Sequence, residues 1–117
     1  MTENTVSEKS FEFAVRIVRL YQYLTAEKKE YVMSKQILRC GTSIGANVAE
    51  AQKGQSKADF TAKMQIALKE ANETEYWLRL MNRTNYITKE QFLNLNRNVN
   101  ELISLLSAIC KTAKETK

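Results

Sequence analysis

The stretch Cys40–Gly54, CGTSIGANVAEAQKG, decides how the whole chain is read. It carries all 3 glycines of a 117-residue sequence that has no proline at all. Glycine richness suggests a loop that could cradle a phosphate. Against that, Ile37, Cys40, Ile44, Val48 and Ala51 keep a three-and-four spacing straight through the stretch, which is the signature of one helix face. A Walker loop needs Gly-x-x-x-x-Gly-Lys-Ser/Thr and a dinucleotide fingerprint needs a preceding strand; neither pattern occurs. The stretch is therefore read as helix, with Gly54 expected in the left-handed conformation at its C-terminus.

On that helix Gly41, Gly45 and Ala49 fall four apart and make a stripe without side-chain bulk. Such a stripe lets a neighbouring backbone come close, by the steric logic of small-xxx-small contacts. Each glycine costs about 1 kcal/mol against alanine in a helix interior, so close packing is the compensation to look for. A second face carries Arg39, Ser43, Asn47 and Glu50. It mixes donors, acceptors and both charges, and reads as a polar network between helices or subunits, with a ligand-recognition site as the alternative.

Outward from this helix the chain divides into three more. Before it, Phe13, Ile17, Leu20 and Leu24 make one apolar stripe and Phe11, Ala14, Val15, Val18 and Tyr21 a second. Two stripes are more than one helix of an isolated bundle needs, which points to self-association. After it, Ser56 is placed as an N-cap, followed by Phe60, Met64, Ala67, Ala71, Thr74, Leu78 and Met81. Thr88-Lys-Glu-Gln91 is a capping box that opens a last helix through Phe92, Leu95, Val99, Leu102, Ile103, Leu106 and Ile109. The expectation is one all-α domain over 1–117, an antiparallel up-down-up-down four-helix bundle with helices near 8–25, 29–53, 57–83 and 88–113 and a fraying charged tail.

Composition limits the chemistry. There is no histidine and only 2 cysteines, which argues against a disulfide framework and the usual zinc or histidine-base sites. Cys40 and Cys110 read as small core residues. No apolar run approaches the length of a membrane span, so the expected location is the cytoplasm, away from membranes. Glu70, Glu73 and Trp77 share a face of the third helix. Paired carboxylates can serve acid–base or metal chemistry, but di-iron bundles need Glu-x-x-His pairs, so a structural pairing with Arg39 is the economical reading. If that pair is buried, Arg39→Ala should cost a few kcal/mol. Trp77 reads as a core or interface anchor. No catalytic residue, metal ligand or cofactor is expected.

The net charge of +5 is mild. Arg16, Arg19, Lys35, Lys53, Lys57 and Lys63 are the candidate nucleic-acid contacts, but no basic run and no aromatic-interleaved basic motif is visible. Copies around a symmetry axis would multiply the charge.

The run Gln36-Ile-Leu-Arg39-Cys-Gly-Thr-Ser43-Ile44-Gly-Ala46-Asn47-Val-Ala49-Glu50 is more specific than any of these patterns. With Asp59-Phe60, Ile66-Ala67-Leu-Lys-Glu70 and Glu73-Thr-Glu-Tyr76-Trp77-Leu78, it resembles the four-helix-bundle proteins encoded in intervening sequences of bacterial 23S ribosomal RNA genes. The resemblance spans about residues 10–110, and its R-x-x-x-S-I-x-A-N-x-A-E core is the distinctive part. The chain departs from the family pattern at Thr25–Glu27 and Gly45, where proline is common, and at Ala51, where glycine is. The resemblance implies a bundle that assembles into a ring, a homopentamer with a central pore. It also implies kinship with the accessory variability protein of diversity-generating retroelements, which binds nucleic acid and partners a reverse transcriptase. The function expected is thus a non-enzymatic oligomer that binds RNA or DNA or scaffolds a nucleic-acid enzyme, with a protein-interaction module free of nucleic acid as the alternative.

Overall fold

In the computed structural model, which describes residues 2–115, the chain forms four helices: α1 (Thr2–Ala26), α2 (Met33–Gln52), α3 (Lys57–Arg83) and α4 (Lys89–Glu115). No strand occurs among the described residues. The links are short, so consecutive helices must reverse direction, and cross-helix pairs show that they do. Gly41 lies beside Ile17 and Gly45 beside Ser10; Arg39 meets Glu70 and Glu73 while Glu50 meets Lys63; Lys9 meets Glu101 while Arg16 meets Asn98. Each pair runs antiparallel, which is up-down-up-down. Each helix packs on two neighbours, and α1 and α4 close the ring of four through the thinnest seam. The result is a rod of 48 × 21 × 19 Å.

The core is a set of heptad-like stripes. Val6, Ser10, Phe13, Ile17, Leu20 and Leu24 from α1 meet Ile37, Cys40, Gly41, Ile44, Val48 and Ala51 from α2. Met64, Ala67, Ala71, Thr74, Leu78 and Met81 come from α3, and Leu95, Val99, Leu102, Leu106 and Ile109 from α4. Of the two stripes on α1, only the one through Phe13, Ile17, Leu20 and Leu24 is buried. Phe11 is 66% exposed and Val18 faces solvent too, while Ala14, Val15 and Tyr21 are half-buried. Phe92 and Ile103 also stop short of full burial and pack against the core's edge.

The ends of the helices correct three expectations. α1 begins at Thr2 rather than near residue 8, because Val6 extends the buried stripe one turn further. α2 begins at Met33 rather than residue 29, because Glu30 caps it from outside, as described below. Gly54 is not left-handed: no glycine has positive φ, and α2 ends through backbone bonds from Lys53 to Glu50 (3.1 Å) and Gly54 to Ala51 (3.0 Å). The left-handed residues are Lys29 (φ 56°) and Asn85 (φ 68°). Asn85 completes a Schellman end on α3, with Tyr86 N–H on the Met81 carbonyl at 2.9 Å and Asn85 N–H on the Asn82 carbonyl at 3.2 Å. Two caps are as the spacing predicts. The Ser56 hydroxyl accepts from Asp59 N–H at 3.1 Å, and Thr88 and Gln91 exchange reciprocal bonds at 3.1 and 2.8 Å. α4 stays helical to Glu115; the rest of the tail, 116–117, lies outside the described residues.

Candidate functional site

The signature helix α2 presents different chemistry to its two neighbours. Toward α1 it is bare. A Cβ built on Gly41 would stand 2.8 Å from both Ile17 Cγ1 and Cγ2, and one on Gly45 would stand 3.2 Å from the Ser10 carbonyl oxygen. The two glycines thus set how closely α1 and α2 approach. Ala49, the third member of the small-residue stripe, is exposed and does not continue that contact.

Toward α3 the face is polar. The Arg39 guanidinium bridges two carboxylates one turn apart, Glu70 at 3.2 Å and Glu73 through its other terminal nitrogen. The Trp77 indole N–H donates to the same Glu73 carboxylate at 3.1 Å. Burial alone would push Glu73 up, but the indole and the guanidinium outweigh it and hold the carboxyl below its ordinary range. Arg39, Glu70, Glu73 and Trp77 therefore form one cluster. The other half of the predicted stripe is separate: Asn47 donates to the Ser43 carbonyl (2.9 Å) and hydroxyl (3.0 Å) within α2, and Glu50 pairs at 3.9 Å with Lys63. Beneath Arg39, the buried Thr74 hydroxyl faces the Glu70 carbonyl at 2.8 Å and Cys40 Sγ at 3.2 Å. Burial pushes the Cys40 thiol up to about 11, so it stays protonated and unreactive at neutral pH. Cys110 is buried as well.

Taken together, the cluster is a network of committed groups. Each carboxylate has a cation, the guanidinium has both acids, and among the described residues no group of three or more cysteines and acids is near enough to hold a metal.

Sequence reasoning missed Glu30. Its carboxylate accepts from the backbone N–H groups of Val32 (3.1 Å), Met33 (2.9 Å) and Ser34 (2.7 Å), and Ser34 Oγ donates back to the Glu30 carbonyl at 2.8 Å. Against the upward pull of burial, those donors hold its carboxyl below the usual range. The Ser34 position four residues after an acid was the available signal.

The candidate basic contacts are dispersed. Arg16 and Arg19 line a groove of about 460 Å³ between α1 and α4 with Tyr23, Gln91 and Leu95, although Arg16 also donates to Asn98. Lys35 is exposed on the first turn of α2, and Lys53 and Lys57 are exposed around the Gly54 turn, while Lys63 is engaged with Glu50. No single surface gathers all six. Among the described residues, no helix is long and apolar enough to cross a membrane.

A family model described as the 23S rRNA-intervening sequence protein matches residues 2–108. The chain belongs to this family. A solved structure agrees with that placement. It is a protein of unknown function from the S23 ribosomal protein family of Bacteroides thetaiotaomicron VPI-5482, 61% identical, with a TM-score of 0.93. The match covers 95% of this chain and 99% of that one. No curated protein matches the chain.

Proposed function

We propose that the chain is a non-enzymatic, cytoplasmic accessory protein that assembles from copies of itself and binds RNA or DNA through its basic surface, or scaffolds an enzyme that does. The observation that carries this reading is the outer face of α1. Phe11 and Val18 are exposed on either side of half-buried Val15 and leave an apolar strip, while Arg16 and Arg19 lie on the same helix beside a groove. An apolar strip on an otherwise polar rod favours a second copy, and association would multiply a net charge of +5 into a field that attracts phosphate. A homopentameric ring is the assembly this family's resemblance suggests. The committed ion pairs of the Arg39 cluster support a structural role for the signature residues.

The second reading, a protein-interaction module without nucleic acid, rests on the same strip taken without the charge. Native mass spectrometry at low salt, joined to binding titrations of duplex and structured RNA across a salt series, separates the two. The proposal expects a closed oligomer and an affinity that falls steeply with salt. Phe11→Asp, at an exposed position, should leave the helix content intact and dissociate the oligomer. An oligomer with no salt-dependent binding favours the interaction module, and a monomer that binds nothing overturns both.

A further inference from the structure

A groove of about 400 Å³ follows the seam of α3 and α4 beside the 84–88 link, lined by Tyr76, Arg79, Leu80, Asn82, Arg83 and Phe92. Tyr76, Arg79 and Arg83 stand at i, i+3 and i+7, so a helix gathers on one face what the linear sequence keeps apart. This is an aromatic and basic cluster of the kind that no contiguous motif revealed.

Its parts are prepared for a planar, anionic guest. The Tyr76 ring meets the Trp77 ring at 75° with centroids 5.4 Å apart, and the Arg79 guanidinium lies 5.9 Å from its centroid. Arg79 is itself tied to Glu75 at 3.1 Å. These contacts fix the ring, yet Tyr76 remains 50% exposed. Phe92, packed against the edge of the core, supplies an apolar wall from α4. Asn82 donates its amide to the Ile87 carbonyl at 3.3 Å and so pins the adjacent link. Arg83 is exposed in the last turn of α3 and makes no ion pair among the described residues, and the lining holds two guanidiniums and no carboxylate. From Tyr76 to Arg83 the helix rises about 10 Å, the reach of a dinucleotide.

We infer that this groove seats a single-stranded segment of nucleic acid, with a base on Tyr76 against the Phe92 wall and a phosphate at Arg83. A base offers the π-face that Tyr76 can stack, and a phosphate offers the bidentate anion that a free guanidinium fits. The inference rests on the nucleic-acid reading above and narrows it to single strands and to a surface apart from Arg16, Arg19, Lys53 and Lys57.

The test is fluorescence anisotropy of the full chain with labelled oligothymidylate and oligouridylate over a salt series. Tyr76→Leu should weaken binding about tenfold while Tyr76→Phe retains it. Arg83→Gln should lower the log–log salt slope by about 0.7, and Arg83→Lys should restore it. Thymidine monophosphate should compete poorly; efficient competition would reassign the groove to free nucleotides and overturn the strand. If wild type binds the oligonucleotides and both Tyr76→Leu and Arg83→Gln bind equally well, the groove is wrong and the nucleic-acid reading stands. If wild type binds neither strands, duplex nor structured RNA, both fall.

Discussion

On one side of α2, Gly41 and Gly45 lie against Ile17 and Ser10 of α1; on the other, Arg39 and Glu50 reach across to Glu70, Glu73 and Lys63 of α3. The stretch of residues 39–50 therefore serves two seams through different physics. The first is steric and dry: nothing but missing side chains lets the backbones approach. The second is electrostatic and wet, with the Arg39 side chain 51% exposed. Packing is unforgiving because interiors are close-packed, whereas exposed charges are screened and their partners mobile. The two sides of one helix should thus differ sharply in what a substitution does, even though both are equally conspicuous in the sequence.

The largest effect belongs to Gly41. Its neighbour Ile17 is fully buried and branched at Cβ, so neither of the carbons 2.8 Å from a new Cβ can swing away. Gly41→Leu should cost about 3 kcal/mol in urea unfolding at matched protein concentration, overriding the roughly 1 kcal/mol of helix propensity it gains. Adding Ile17→Ala should return part of the loss, giving a coupling energy in the double-mutant cycle. Strict additivity, or a Gly41→Leu midpoint equal to wild type, would break the steric half of the comparison.

Glu30 comes next, because it fixes where α2 starts and hence the register of both seams. Glu30→Ala removes an acceptor from three N–H groups at once and should cost about 1–2 kcal/mol. Its folded carboxyl titrates below its ordinary value of 4.5, so its contribution is complete above pH 4.5 and is lost as pH falls through the folded value. The gap between wild type and Glu30→Ala in urea midpoint should therefore hold from pH 7 downward and close in acid. A gap independent of pH would mean that the carboxylate is not the cap.

The helices and their buried stripes were legible because period and length agree: Met64 to Met81 and Leu95 to Ile109 repeat at three and four without interruption. The capping box at Thr88 and the cap at Ser56 were legible because their residue types do the bonding themselves. What stayed hidden was set by tertiary context. Lys28-Lys-Glu-Tyr-Val32 contains neither proline nor glycine and is compatible with helix, yet Lys29 turns left-handed and Val32 ends 74% exposed. Val6 is a single apolar residue in a polar run, too sparse to register as periodic until Phe13 and Ile17 line up behind it. For the candidate sites, spacing put Glu70, Glu73 and Trp77 on one face of α3 because i, i+3 and i+4 relations survive folding, and charge complementarity pointed across the seam to Arg39. Spacing could not say that Ser43 and Asn47 would satisfy each other, nor join Tyr76 to Arg83 across a seam whose other wall is Phe92.

The smallest effect is expected at Arg39, where the sequence points to a large one. A buried pair would lose a few kcal/mol on truncation, because the orphaned carboxylates would be stranded in low dielectric. Here the guanidinium is half exposed and Glu73 keeps the Trp77 indole as a second donor, so Arg39→Ala should cost below about 1 kcal/mol at moderate salt. The loss should shrink further as salt rises, and also as pH falls through the depressed Glu73 value, where the partner loses its charge. Urea midpoints of wild type and Arg39→Ala at low and high salt measure this directly. A loss of several kcal/mol that ignores salt but deepens on dilution would have a specific meaning. It would show that another copy of the chain covers Arg39, turning the wet seam of the single chain into a buried one in the assembly, and the contrast between the two sides of α2 would then hold only for the lone subunit.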